Sequence, residues 1–313
     1  MKTLVIGGAG FIGSVLVNEL LQSNASIIVI DKLSLGSADF IDKKKVQFYE
    51  VDINNTDKVL DLIKEETISE VWHLAANSDI PAGVEDMNVD LEDTFMSTVS
   101  TLKIMKQIGC KIIYFASSSA IYGFNENRLH EDIGPLLPIS NYGAMKLSSE
   151  ALISASLESY LDKVCIYRFP NVVGVPATHG VILDFVKKLN KDPSVLDVLG
   201  NGTQQKTYLH VSELVEAMIF INKSTGNGMN FYNIGAMDDG VFVKQIAEET
   251  RNKVSPSATI KYQSSDRGWV GDVPRFFYSV NKLSALGWSP KMSSLEAIQR
   301  AVSEITSQEI NKK

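Results

Sequence analysis

The sequence holds little of what marks a secreted, membrane-spanning or metal-dependent protein. Only two cysteines occur in its 313 residues, Cys110 and Cys165. That is too few for a disulfide framework, and neither has a metal-ligating neighbour, so both read as small core residues. The four histidines, His73, His130, His179 and His210, show no metal-ligand spacing, and no metal is expected. No apolar run approaches the roughly 20 residues that a membrane helix needs. The opening Met-Lys-Thr-Leu-Val-Ile-Gly-Gly lacks a cleavage region, which gives a cytoplasmic expectation. The net charge of −7 comes from acids and bases interspersed along the chain, so there is no basic footprint for nucleic acid or an anionic membrane.

What is present is an alternation. Apolar strand patterns at 2–6, 26–30, 46–50, 69–74, 111–116 and 163–168 are separated by amphipathic helical patterns at 11–22, 56–65, 91–107 and 142–160. Such alternation predicts an α/β protein, a Rossmann-like doubly wound parallel sheet with helices on both faces. Beyond Arg168 the pattern loosens into turns and shorter elements. Residues 1–170, with 205–234 returning to them, are expected to form a nucleotide-binding domain. Residues 171–204 and 235–313 are expected to form a smaller α/β lobe over the ligand cleft.

Gly7, Gly10 and Gly13 follow the first strand and open a helix, the context in which a glycine turn lets a dinucleotide pyrophosphate approach the backbone. Asp31 ends the second strand, where a carboxylate can accept hydrogen bonds from adenosine ribose hydroxyls and repel a 2′-phosphate. NAD is therefore expected over NADP, with the neighbouring Lys32 weighing the other way. Asp52 and Ile53 end the third strand and could flank the adenine, although a turn-forming aspartate reads the same way. The small residues Ala75 and Ala76 after His73-Leu74 leave room for a cofactor across the strand ends.

The chemistry is carried by Tyr142 and Lys146. Four apart on a helix, they share one face about 6 Å apart along the axis. An ammonium so placed is expected to lower a phenol's pKa toward neutrality. With the glycine turn, the pair implies that the protein moves hydrides and protons at an alcohol carbon.

These motifs give the chain a resemblance to the extended short-chain dehydrogenase/reductases of the nucleotide-sugar epimerase/dehydratase family, from Gly7 to about Pro290. The residues that carry it are Gly-Gly-Ala-Gly-Phe-Ile-Gly at 7–13, His-Leu-Ala-Ala at 73–76, Ser-Ser-Ser-Ala-Ile-Tyr-Gly at 117–123 and Tyr-x-x-x-Lys at 142–146. Further ones are Arg-Phe-Pro-Asn-Val-Val-Gly at 168–174, Tyr-Leu-His-Val at 208–211 and Gly-Asp-Val at 271–273. The resemblance implies Tyr142 as acid/base, Lys146 on the nicotinamide ribose, and Ser118 on the sugar's 4-hydroxyl. It implies an NAD site made by Gly7, Gly10, Phe11, Ile12, Asp31, Lys32, Asp52, Ile53, Leu74, Ala75, Ala76, Ala116 and Phe169, with Tyr142 and Lys146. It further implies a nucleoside-diphosphate-sugar site from Ser78, Ser118, Ser119, Asn171, His179, Lys206, Arg267 and Asp272. Helices 91–107 and 142–160 resemble a pair that forms a homodimer interface.

One departure narrows the chemistry. Relatives that eliminate water carry Asp and Glu directly after the catalytic Ser/Thr, and decarboxylating ones carry a glutamate at the second of those positions. Here the two positions are Ser119 and Ala120, and alanine exchanges no proton. What survives is oxidation at carbon 4 alone. The expected activity is NAD-dependent 4-epimerisation of a nucleoside-diphosphate sugar, UDP-hexose first, through a transient 4-keto sugar. A net 4-dehydrogenase uses the same residues, and a non-catalytic NAD-binding module is the alternative from another class.

Overall fold

Strand β1 (Lys2–Ile6) reads Lys-Thr-Leu-Val-Ile, and its last four residues are all buried. In the computed structural model, which describes residues 1–125, 127–265, 273 and 275–311, it lies between β2 (Ile27–Asp31) and β4 (Ile68–His73), parallel to both. Beyond them, β3 (Gln47–Glu50) pairs with β2, and β5 (Ile112–Ala116) and β6 (Lys163–Arg168) continue from β4, again in parallel. A seventh strand, Gly228–Asn233, lies beside β6, so the order across the sheet is 3-2-1-4-5-6 followed by that strand. The near-continuous apolar runs follow from burial on both faces, which is the condition of strands covered by crossover helices. The order reverses between β1 and β4, the point where open α/β sheets take their ligands.

The chain divides into two compact units. The first comprises Met1–Ile121, Ser140–Arg168 and Val215–Tyr232. Its core joins Leu4 and Ile6 of β1, Ile28 and Ile30 of β2, Ile113 and Phe115 of β5, and Val164 and Ile166 of β6 to helix residues such as Ile104, Met105 and Ile153. Full burial of each such side chain is worth about 1.5–3 kcal/mol. The helix Asn141–Ser159 starts where the Ser140 side chain accepts from the Gly143 N–H, 3.1 Å away. The pattern at 91–107 belongs to a longer run that begins with Met87–Asp90, passes through a π-helical segment, Leu91–Met96, and ends with Ser97–Ile108. Cys110 and Cys165 are free and buried, as expected of core residues. Lys163, buried within β6, donates to the carbonyls of Asn222 and Thr225 (both 2.7 Å), caring for the last turn of the helix Val211–Ser224.

The second unit comprises Tyr122–Ile139, Phe169–Leu214 and Asn233–Lys313. Residues 122–139, which the sequence leaves inside the first domain, group with it. Its core is built from the helices Val181–Lys191, Val243–Val254 and Ser294–Asn311 around Leu196 and Val198. The strand Asn171–Val173 pairs in parallel with Tyr208–His210. His210 is buried and held at both ring nitrogens, by Ser212 (2.8 Å) and Glu304 (3.0 Å). It is a structural imidazole that ties the strand to the last helix. Among the described residues no helix is long and apolar enough to cross a membrane, and no cluster of His, Cys, Asp or Glu could hold a metal ion.

Candidate active site

The glycine turn is drawn tightly against the chain that leaves β4. Gly7 has φ +78°, and a Cβ there would lie 2.6 Å from the Ala75 backbone nitrogen. A Cβ on Gly13 would strike the Gly7 carbonyl at 2.1 Å. Gly10, by contrast, meets only that carbonyl, at 3.4 Å, and caps the helix Phe11–Gln22 without a side chain. The start of that helix, with Phe11 and Ile12 half-buried in its first turn, is therefore uncovered by any capping side chain, a form suited to a pyrophosphate.

Asp31 stands at the same end of the sheet. Its carboxylate accepts from the Ala9 N–H (2.9 Å) and the Leu33 N–H (2.8 Å). Burial raises its pKa, with backbone hydrogen bonds from Leu33 and Ala9 and the charge of Lys32 opposing the rise. Lys32 is exposed but not idle: its Nζ meets Asp93 at 2.5 Å and Asp52 at 3.4 Å. Burial lowers its pKa, yet hydrogen bonding and attraction from Asp93 and then Asp52 leave it raised. A lysine held between two carboxylates does not offer a free cation to a 2′-phosphate, so the residues present fit NAD. Asp52 is half-buried and Ile53 buried at the end of β3, and Leu74, Ala75 and Ala76 are half-buried after β4.

Tyr142, Lys146 and Glu150 follow one another along one face of the helix Asn141–Ser159. Lys146 is 2% exposed; its Nζ donates to the Ala116 carbonyl at the end of β5 (2.6 Å) and stands 5.8 Å from the centre of the Tyr142 ring. Ser118 hydrogen-bonds Tyr142, and its Oγ accepts from the Ala120 N–H at 3.1 Å. Burial pushes the Tyr142 phenol up to about 12; the Ser118 hydrogen bond opposes this and the charge of Asp90 adds to it. Burial brings Lys146 down to about 7, against the charges of Glu150 and Asp90. The expectation that the lysine pulls the phenol toward neutrality is thus corrected for the protein alone. Desolvation outweighs the neighbouring charge, and both groups are driven toward their neutral forms.

Two supporting residues escape sequence reasoning. Glu150 is buried and paired with Arg168 (Nη2 to Oε2, 2.7 Å), and accepts a further hydrogen bond from Ser117. The signal was available, since Glu150 continues the four-residue spacing of Tyr142 and Lys146. Asp90, 1% exposed, precedes the π-helical segment, and no motif marks it.

The remaining expected residues are placed as follows. Ser118 and Ser119 lie beyond β5, and Ala116 ends it, buried. Ser78 is exposed, in the loop before the helix Ile80–Glu85. In the second unit, Phe169 is buried and Asn171 is half-buried, opposite Tyr208 in the strand pair. His179 is exposed, with Nδ1 2.9 Å from the Thr178 hydroxyl. Lys206 lies on the short strand Gln205–Lys206, opposite Val241. Arg267 and Asp272 lie outside the described residues.

The model of the NAD dependent epimerase/dehydratase family matches residues 3–235, most of the chain and every motif just described except those after 235. The chain belongs to that family. It is 31% identical to a UDP-glucose 4-epimerase of Halalkalibacterium halodurans, with 95% of this chain and 93% of that one covered. It is 26% identical to a UDP-glucuronate 4-epimerase of Thermodesulfobacterium geofontis, covering 96% and 94%. The crystal structure of Thermus thermophilus UDP-glucose 4-epimerase in complex with NAD superposes with a TM-score of 0.87 at 28% identity, over 97% of this chain and 99% of that one.

Proposed function

We propose that this protein interconverts the carbon-4 epimers of a nucleoside-diphosphate sugar, a UDP-hexose first. The observation that carries the reading is the polar set at the end of β5: Tyr142 with Ser118 and Lys146, followed at 119 and 120 by a serine and an alanine. That set can remove and return one proton, and positions 119 and 120 supply no carboxylate for elimination or decarboxylation. The relatives just described carry 4-epimerase names, which favours epimerisation over net 4-dehydrogenation.

When bound, NAD would supply hydride-accepting and hydride-donating chemistry at carbon 4. Gly7, Gly10, Phe11, Ile12, Asp31 and the residues after β4 are assigned to holding it. Tyr142 takes the proton of the 4-hydroxyl through Ser118 and returns it once the 4-keto sugar has turned its other face. Lys146 stabilises the phenolate against the burial that opposes it. Turning the sugar requires a firm grip on the nucleotide, a use of remote binding energy; Ser78, Ser119, Asn171, His179, Lys206, Arg267 and Asp272 are the residues assigned to substrate.

The deciding experiment supplies UDP-glucose and UDP-galactose without added NAD. Interconversion supports the reading; NADH absorbance growing without epimer formation replaces it with a dehydrogenase. We further propose a cytoplasmic homodimer formed through residues 91–107 and 142–160, which light scattering of the eluted protein tests.

A further inference from the structure

Lys32 follows Asp31 directly, yet its side chain is engaged elsewhere. Its Nζ lies 2.5 Å from Asp93 Oδ1, on the π-helical segment 61 residues further along the chain, and 3.4 Å from Asp52 Oδ2, after β3. A frame of hydrogen bonds brings the two carboxylates there. Asp52 Oδ1 accepts from the Asn54 N–H at 2.9 Å. The Asn54 side chain donates to the carbonyl of Glu92, next to Asp93 (3.1 Å), and accepts from the Ser100 hydroxyl (2.9 Å). Asn54 thus ties the turn after β3 to the π-helical segment, a kind of helical irregularity that recurs at functional sites. Asp52 and Asp93 therefore meet one lysine from two elements.

Asp31 is fixed independently, by the N–H groups of Ala9 and Leu33. Beyond Leu33 the chain folds back on the glycine turn: the Ser37 N–H donates to the Ala9 carbonyl at 3.0 Å, and a Cβ on Gly36 would fall 2.4 Å from that oxygen. The residues assigned to the adenosine end thus set three carboxylates, Asp31, Asp52 and Asp93, against the single ammonium of Lys32.

A 2′-phosphate brings roughly two negative charges at pH 7 and needs a cation to receive it. A lysine beside Asp31 is of the right type, since an ammonium binds phosphate as a point charge. We propose that Asp93 is a cofactor-specificity residue: by holding the Lys32 ammonium, it keeps an anchor for NADP out of service and makes the protein choose NAD. Each of these partly exposed contacts is modest alone. Moving the lysine to a phosphate, however, strands Asp52 and Asp93 together beside Asp31. Asp52, at the longer distance, is the weaker hold.

The test reads bound cofactor, not turnover. Purified protein is dialysed to constant composition against equal concentrations of NAD and NADP, and the bound nucleotides are released by acid and separated by anion exchange. Wild type is expected to hold NAD in large excess. In Asp93→Asn the ratio of bound NADP to NAD is expected to rise about tenfold, the order that a charge-assisted hydrogen bond brings. Lys32→Met alone should leave the ratio where it was, because the lysine is already engaged; added to Asp93→Asn, it should cancel the rise. An unchanged ratio in Asp93→Asn overturns the proposal. So does a rise that survives Lys32→Met, a fall caused by Lys32→Met alone, or a wild type that holds NADP as readily as NAD. If Asp93→Asn does not fold, Asp93→Ser removes the same charge and is read in the same way. No sugar is present in the dialysis, so failure of the epimerase reading leaves the result untouched.

Discussion

Lys146 gives its ammonium to the Ala116 carbonyl, 2.6 Å away, while its Nζ stands 5.8 Å from the centre of the Tyr142 ring one turn earlier. The lysine is thus fastened to the end of β5. Tyr142, held up to about 12 by burial, is the group proposed to take and return the proton of the 4-hydroxyl. Replacing Tyr142 by Phe removes the hydroxyl and its Ser118 hydrogen bond and keeps the ring. Epimerisation is expected to fall by about 10²–10⁴, the usual worth of general acid–base catalysis. NAD released by acid from the purified variant should match the wild-type amount; an unchanged rate would remove Tyr142 from the mechanism.

Gly7 is a position at which the cofactor turn leaves no room for a side chain. Its positive φ disfavours any side chain, and a Cβ would press on Ala75. Gly7→Ala is expected to yield protein largely free of NAD, with ultraviolet absorbance of the acid extract as the measure. Gly10→Ala, whose Cβ meets only the Gly7 carbonyl at 3.4 Å, should keep the fold and lose affinity more mildly.

The Arg168–Glu150 pair lies in a buried setting, so breaking it strands a charge. Arg168→Met is expected to cost about 3–5 kcal/mol of stability, read from the urea midpoint at constant slope. Glu150→Gln also removes a charge that supports the ammonium, and its lysine should titrate lower than in the wild type.

His73 is fully buried in β4, and burial brings its pKa down to about 3, the charge of Lys146 adding to the effect. The unfolded chain takes up its proton near 6.5 and the folded one resists, so stability falls as pH drops from 6.5 toward 3. His73→Gln should flatten that part of the curve of unfolding free energy against pH. Equal slopes for variant and wild type would rule out the histidine as the cause.

The sheet was legible because burial on both faces writes itself as unbroken apolar runs. Strands β1 and β6 stand where the pattern placed them, and β2, β3, β4 and β5 within a residue or so. That Tyr142 and Lys146 share one helix face was legible through spacing, since a helix fixes which side chains lie together. Spacing carries no dielectric, however, and the direction in which the phenol shifts depends on how much water the fold removes. Asp90 was illegible for a different reason. Its surroundings are made by Gly83, Asn77 and a π-helical segment, contacts that no period of three or four residues announces.

Tyr142, Lys146 and Glu150 ride on one rod, clasped to the sheet at its middle by Ala116 and farther along by Arg168. On the proposed mechanism, proton shuttle, tether and foundation therefore share one helix and one stretch of sheet edge. Loops that choose a sugar can be exchanged around such a helix without retuning its reach, so new specificities need not reinvent the reagent.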